Sequence, residues 1–268
     1  VTTCYNAAMD ALSGFERREQ TFLGKTKSVY YRGEGPPVVV MAEVPGLTPP
    51  VMAFARRVVE RGMSVAVPDL FGKAGAPRSM LGIVGVMAHA CISREFAVLA
   101  KHRASRVTEW LRALARSLHE ANGGPVGAVG MCLTGNFALT LCLDPWLMAP
   151  VLSQPSLPSG LSDAKRALHA TPAACQALKR RAEEEGLEVL GLRFTHDMLC
   201  PPERFDTLRE LLGDRFEGIE IDSSPGNPHG HARTAHSVLT EDLIDEAGQP
   251  TRAALDRVLD FLEQRLAA

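Results

Sequence analysis

The sequence has no excess of either charge, no apolar run long enough to cross a membrane and no close pair of cysteines. Lys and Arg total 29 against 31 Asp and Glu, a formal net charge of −2. Binding to nucleic acid and polybasic attachment to a membrane both draw on a positive excess, so this balance speaks against each. The most apolar stretch, Met80 to Ala88, is broken by Gly82 and Gly85 and runs into His89. It falls well short of the roughly 20 residues a spanning helix needs. No basic region followed by an apolar run opens the sequence, so no secretory signal is expected and the cytosol is the expected compartment. The six cysteines (Cys4, Cys91, Cys132, Cys142, Cys175, Cys200) form no C-x-x-C pair and no other close metal-ligand spacing. A reducing compartment would keep them as thiols, most of them acting as small buried hydrophobes.

Repeats, low-complexity tracts and linkers are also missing, so the 268 residues are expected to form one domain over 1–268, with 71–89 as a lid or loop region. A chain of this size can bury roughly three quarters of its unfolded surface and needs no metal or disulfide staple. With 46% hydrophobic and 22% charged residues, its composition is that of a globular enzyme and excludes disorder.

What the sequence does contain is an alternation of short apolar runs with longer helical stretches. Phe15–Leu23 and Lys25–Tyr31 read as two extended segments joined at Gly24. Val38–Ala42 is a continuous apolar run of the kind buried on both faces of a parallel sheet. Further strands are expected at Met63–Val67, Val126–Met131, Met148–Leu152, Leu187–Phe194 and Arg215–Ile221. Helices are expected over Pro49–Arg61, Cys91–Glu120, Leu133–Leu143, Ala164–Glu185, Pro201–Leu212 and Thr251–Leu266, with another starting at Leu239 or Thr240. This order predicts an α/β fold: a mostly parallel central sheet, an N-terminal antiparallel hairpin, and helices on both faces. Ligands in such sheets bind at the carboxyl ends of the strands, so the chemistry belongs in the loops that follow them.

The strongest local signal is Gly130-Met131-Cys132-Leu133-Thr134-Gly135, between a strand and a helix. A nucleophile on a sharp strand-to-helix turn needs small neighbours, because the strand and the helix crowd it. The helix N-terminus favours thiolate over thiol. A buried structural cysteine beside a glycine turn is the plainer reading, but strand, glycines and helix start all agree on the nucleophile.

Gly-x-Cys-Leu-x-Gly after a strand resembles the dienelactone hydrolase family, a cysteine branch of the α/β-hydrolase fold. The resemblance extends to Glu43-Val44-Pro45-Gly46 at a strand end, to Val67-Pro68-Asp69-Leu70-Phe71, and to Ala235-His236-Ser237. It implies a carboxylic ester or lactone as the small-molecule substrate. Neither a cofactor nor a metal is implied, and the sequence assigns no oligomeric state. The chain departs from the family at Thr134, where a glycine is usual and a β-branched residue is expected to crowd the turn.

A cysteine nucleophile needs a base, and the base needs an orienting carboxylate, in the chain order nucleophile, acid, histidine. Asp197 follows a strand, where the acid is required, whereas Glu203 and Asp206 belong to the next helix. His229, His231 and His236 share one Pro/Gly-rich segment. His229 and His231 could be read as a metal pair, but no third ligand is apparent. His236, in its Ala-His-Ser setting, is the favoured base, with His231 as the alternate. The resemblance implies that Glu43 contacts the resting cysteine and takes its proton when substrate enters. Backbone amides of Val44 and Leu133 are expected to form the oxyanion hole.

The family holds a substrate carboxylate with arginines, one of them four residues after the histidine, where this chain has Thr240. Arg78, Arg94 and Arg233 are the remaining candidates for that task. Two readings of other classes stand beside the hydrolase: a non-catalytic small-molecule binder on the same fold, and a redox-sensing thiol protein.

Overall fold

Leu23 and Gly24 both have positive φ, 52° and 70°, and turn the chain tightly back on itself. From this turn grows an antiparallel hairpin of β1 (Glu16–Phe22) and β2 (Lys25–Arg32). The computed structural model describes residues 11–71, 74–75, 105–156, 165–168 and 170–267. Over these residues the elements continue as β3 (Pro37–Met41), α1 (Pro49–Glu60), β4 (Ser64–Pro68), α2 (Arg106–Asn122), β5 (Val126–Met131), α3 (Gly135–Leu141) and β6 (Leu147–Ser153). They end with α4 (Pro172–Glu184), β7 (Val189–Phe194), α5 (Pro202–Leu212), β8 (Phe216–Ile221) and α6 (Pro250–Leu266). The eight strands form one sheet in the order β1-β2-β4-β3-β5-β6-β7-β8. β2 runs antiparallel to both β1 and β4, and every pairing from β4 to β8 is parallel.

The side-chain alternation along each strand assigns residues to two cores. Val38 and Val40 face one way, with Val51, Val58, Leu255 and Leu262 of α1 and α6. Val39 and Met41 face the other way, with Leu111 and Leu114 of α2, Phe137 of α3, Leu178 of α4 and Phe205 of α5. Both faces of the parallel strands are covered, which is why β3 and β5 read as unbroken apolar runs. This is the architecture expected from the strand–helix alternation.

Three expected helix boundaries differ. The helix over 91–120 begins at α2, where the Ser105 hydroxyl accepts a hydrogen bond from Thr108 N at 3.1 Å and caps the first turn; residues 91–104 lie outside the described ones. The helix over 164–185 begins at Pro172, whose missing N–H is tolerated only in the first turn, with Thr171 capping it. No helix starts at Leu239 or Thr240. Residues 238–242 form a turn in which Thr240 N and Asp242 N both donate to Ser237 O. Of the expected lid region 71–89, only residues 71, 74 and 75 are described. Among the described residues, no helix is long and apolar enough to cross a membrane.

Candidate active site

β3 and β5 are neighbours, with Met41 opposite Gly130. Glu43 and Val44 therefore leave the sheet beside Cys132 and Leu133. Cys132 has φ +58°, a left-handed conformation that a non-glycine residue adopts only where its surroundings enforce it. It opens a short 3-10 turn, Cys132–Thr134, that runs directly into α3. The two flanking glycines allow this. A Cβ on Gly130 would strike the Thr134 carbonyl and come within 2.8 Å of Gly135 Cα, and one on Gly135 would lie 2.9 Å from Pro155 Cα.

Thr134 does not simply crowd the turn. Its buried hydroxyl accepts from Met131 N at 2.8 Å and lies 2.8 Å from Met41 O and 2.9 Å from Met131 O, which ties the turn to the end of β3.

Asp197 and His236 come together although 39 residues separate them. His236 Nδ1–H donates to Asp197 Oδ2 at 2.7 Å, and Asp197 Oδ1 accepts from Leu199 N at 2.9 Å. The Cys132 side chain lies near enough to the imidazole to help raise its pKa. Burial alone would disfavour the charged ring. The hydrogen bond to Asp197 and the proximity of Asp197 and Cys132 outweigh burial, and the His236 pKa is pushed up to about 11. A charged imidazolium is the state of His236 that this geometry favours. The buried thiols of Cys142 and Cys200 contrast with Cys132: burial pushes each up to about 12, which leaves them unreactive. Cys132 itself is partly exposed at the strand ends.

His231 lies elsewhere. It is buried against the Phe194 ring, with 5.2 Å between ring centroids, and among the described residues its Nε2 has no hydrogen-bond partner. His196 is exposed, and Glu203 and Asp206 on α5 pair with Lys165 and Arg209.

Glu43 is buried, but its oxygens are taken up by other groups. Oε2 accepts from Ser237 Oγ at 2.6 Å and from Gln154 Nε2 at 3.5 Å, and Oε1 accepts from Thr240 Oγ1. Among the hydrogen bonds of the described residues, none joins Glu43 to Cys132. Val44 is half-buried and Leu133 buried, each next to a strand end. Of the arginine candidates, Arg233 is exposed, while Arg78 and Arg94 lie outside the described residues. Among the described residues, no three His, Cys, Asp or Glu side chains are grouped to hold a metal.

Several site residues had no strong signal in the sequence. Ser156, just beyond β6, donates its hydroxyl proton to Gln154 O at 2.7 Å and presents its oxygen to His236 Nε2 at 3.4 Å. Its only advance sign was its place after a strand end. The buried Arg193 donates to Cys200 O and Thr195 O and pairs with Glu220, so it closes the loop carrying Asp197. Arg204, also buried, donates to Leu199 O and Pro155 O, linking that loop to the end of β6. A charged residue inside an apolar strand, as Arg193 is, was the one available hint.

The dienelactone hydrolase family model matches residues 20–266. Among solved structures, a Klebsiella pneumoniae subsp. pneumoniae protein named a dienelactone hydrolase by assignment is 18% identical, with TM-score 0.60 over 93% of this chain and 99% of that one. A dienelactone hydrolase-like promiscuous phosphotriesterase from metagenomic libraries is 16% identical, with TM-score 0.59 over 94% and 98%. A cold-adapted esterase from an Arctic intertidal metagenomic library is 17% identical, with TM-score 0.57 over 94% and 93%. These likenesses establish the α/β-hydrolase fold. No curated protein matches the sequence significantly.

Proposed function

The chain belongs to the dienelactone hydrolase family, and from that membership we propose that it hydrolyses a carboxylic ester or lactone through a Cys132-His236-Asp197 triad and a thioester intermediate. The observation that carries the proposal is His236 held between the Asp197 carboxylate and Cys132, with Cys132 on a positive-φ turn between strand and helix.

The Cys132 thiolate adds to the acyl carbon, and the carbonyl electron pair moves onto oxygen. The amides of Val44 and Leu133 stabilise that oxyanion. Collapse reforms the carbonyl and expels the alkoxide, which takes the proton from the His236 imidazolium. Neutral His236 then removes a proton from water as the water attacks the thioester. The carboxylic acid leaves, and the thiolate–imidazolium pair is restored. Asp197 holds the ring in one orientation and stabilises its charge throughout. Neighbours named as an esterase and as a dienelactone hydrolase-like enzyme are consistent with ester chemistry on this fold.

Turnover of a small chromogenic ester tests the reading. Cys132→Ala and His236→Ala should each lower kcat by on the order of 10⁶-fold, while His231→Ala should stay near wild type. Full activity in Cys132→Ala would remove the nucleophile assignment, and a larger loss in His231→Ala than in His236→Ala would exchange the two histidines.

A further inference from the structure

His236 does not lie on a regular element. It precedes the 238–242 turn, so its position depends on what holds that stretch of chain. Two carboxylates from different parts of the molecule do so. Asp242 Oδ2 accepts from both His236 N and Ser237 N, each at 2.8 Å, and fixes the backbone on which the imidazole stands. Glu43, arriving from the end of β3, accepts the hydroxyl protons of Ser237 and Thr240, the residues one and four places after His236. Gln154, at the end of β6, donates to the same Glu43 Oε2, and its own side-chain oxygen accepts from Ser153. The histidine segment is thereby tied to β3 and, through Glu43 and Gln154, to β6. β5, which delivers Cys132, lies between those two strands.

We propose that Glu43 and Asp242 are positioning residues that clamp the His236 segment against the strand ends, setting the imidazole in reach of Cys132. The proposal rests on the triad reading above. It departs from proton transfer between Glu43 and the cysteine, because the Glu43 oxygens are occupied by Ser237, Thr240 and Gln154. Both carboxylates work here as hydrogen-bond acceptors, and neither needs to exchange a proton during turnover. Displacement of a catalytic group by about 1 Å is enough to cost on the order of 100-fold in rate, so a loosened clamp should appear in kcat. Among the described residues, the side chains facing the His236 ring are Asp197, Cys132 and Ser156, and none of them belongs to the clamp.

The test compares removal of each acceptor with its conservative replacement. Two readouts are used: kcat and KM on a chromogenic ester, and the pH dependence of Cys132 alkylation by iodoacetamide, followed by mass spectrometry of the Cys132 peptide. Asp242→Ala should lower kcat by ~10- to 100-fold with little change in KM. It should also move the alkylation profile to higher pH, because a displaced imidazolium no longer supports the thiolate. Asp242→Asn should restore most of both, since one amide oxygen can accept both N–H groups. Glu43→Ala should behave like Asp242→Ala, and Glu43→Gln should recover much of the loss. Ser237→Ala deletes a single hydroxyl and tests the clamp even where the alanine variants of the carboxylates do not fold.

If Glu43→Gln is as damaging as Glu43→Ala while Asp242→Ala is silent, Glu43 acts by accepting a proton and the clamp is wrong. If the clamp variants lower the melting temperature but leave kcat and the alkylation profile alone, the contacts are structural only and the proposal also falls. His236→Ala separates this from the parent reading. Should it leave the Cys132 profile at its wild-type position, the triad assignment fails and takes the clamp with it. A shifted profile in His236→Ala beside silent clamp variants would overturn the clamp alone.

Discussion

Thr134 stands two residues after Cys132, in the tightest part of the turn, and its hydroxyl gives the position a purpose beyond its shape. Met131 N–H is buried and has the Thr134 Oγ1 as its acceptor, while the same oxygen reaches the carbonyls of Met41 and Met131. A buried donor without an acceptor costs about 1–3 kcal/mol. Thr134→Val, nearly equal in shape, should therefore lower stability in urea unfolding by about 1–3 kcal/mol, and Thr134→Ser should recover most of it. Equal stability of the valine variant and wild type would show that the hydroxyl contributes nothing. A glycine at this position would relieve crowding without making these bonds, so the threonine represents a different solution to the same turn.

At the scale of elements, the N-terminal hairpin carries a local conflict. Leu23 sits in the turn at φ +52° and is 72% exposed, so it bears a left-handed backbone penalty and gains little burial in return. Two-residue turns with positive φ at both central positions favour Asn-Gly. Leu23→Asn should stabilise the protein by about 0.5–1 kcal/mol, measured by denaturant unfolding with an unchanged m-value. A neutral or destabilising result would mean that the leucine makes contacts which outweigh its strain. The starts of α2 and α4 follow the same local logic: a capping hydroxyl, and in α4 a proline, end the backward extension of a helical pattern that hydrophobic spacing alone would continue.

For the whole molecule, two histidines give stability opposite dependences on pH. His236 is raised in the folded state, so its contribution is fully present below the unfolded pKa of about 6.5 and disappears as pH rises towards 11. His231 is lowered by burial and by the nearby charge of His229, against the smaller opposing pull of Asp242 and Asp222. The unfolded chain binds that proton more readily, so the fold loses stability as pH falls through the His231 range. Thermal melts between pH 8 and pH 5 should show His231→Phe gaining on wild type only below about pH 6.5. Parallel curves over the whole interval would remove His231 as the cause. The two effects do not cancel, because the His236 contribution is constant below neutral pH while the His231 cost is still growing.

Much of this protein is legible from local pattern. Strand–helix alternation follows from periodicity, which is a property of neighbours in sequence, and so does the turn around Cys132, whose small flanking residues are what a crowded strand-to-helix corner requires. Asp197 could be picked from its place after β7 for the same reason. The preference for His236 over His231 came from the resemblance of its Ala-His-Ser setting and not from periodicity, since both lie in one irregular segment and long-range folding decides which ring meets Asp197. The role of Glu43 was equally hidden. Its hydrogen-bond partners come from residues more than 100 positions away, and their convergence depends on β3, β5 and β6 lying side by side. Charge balance and the absence of cysteine pairs limited which chemistries the chain would support. Where the partly exposed Cys132 meets a histidine was decided by the order of strands in the sheet, because the contacts that place His236, such as those of Asp197 and Glu43, join chain segments that the sequence keeps far apart.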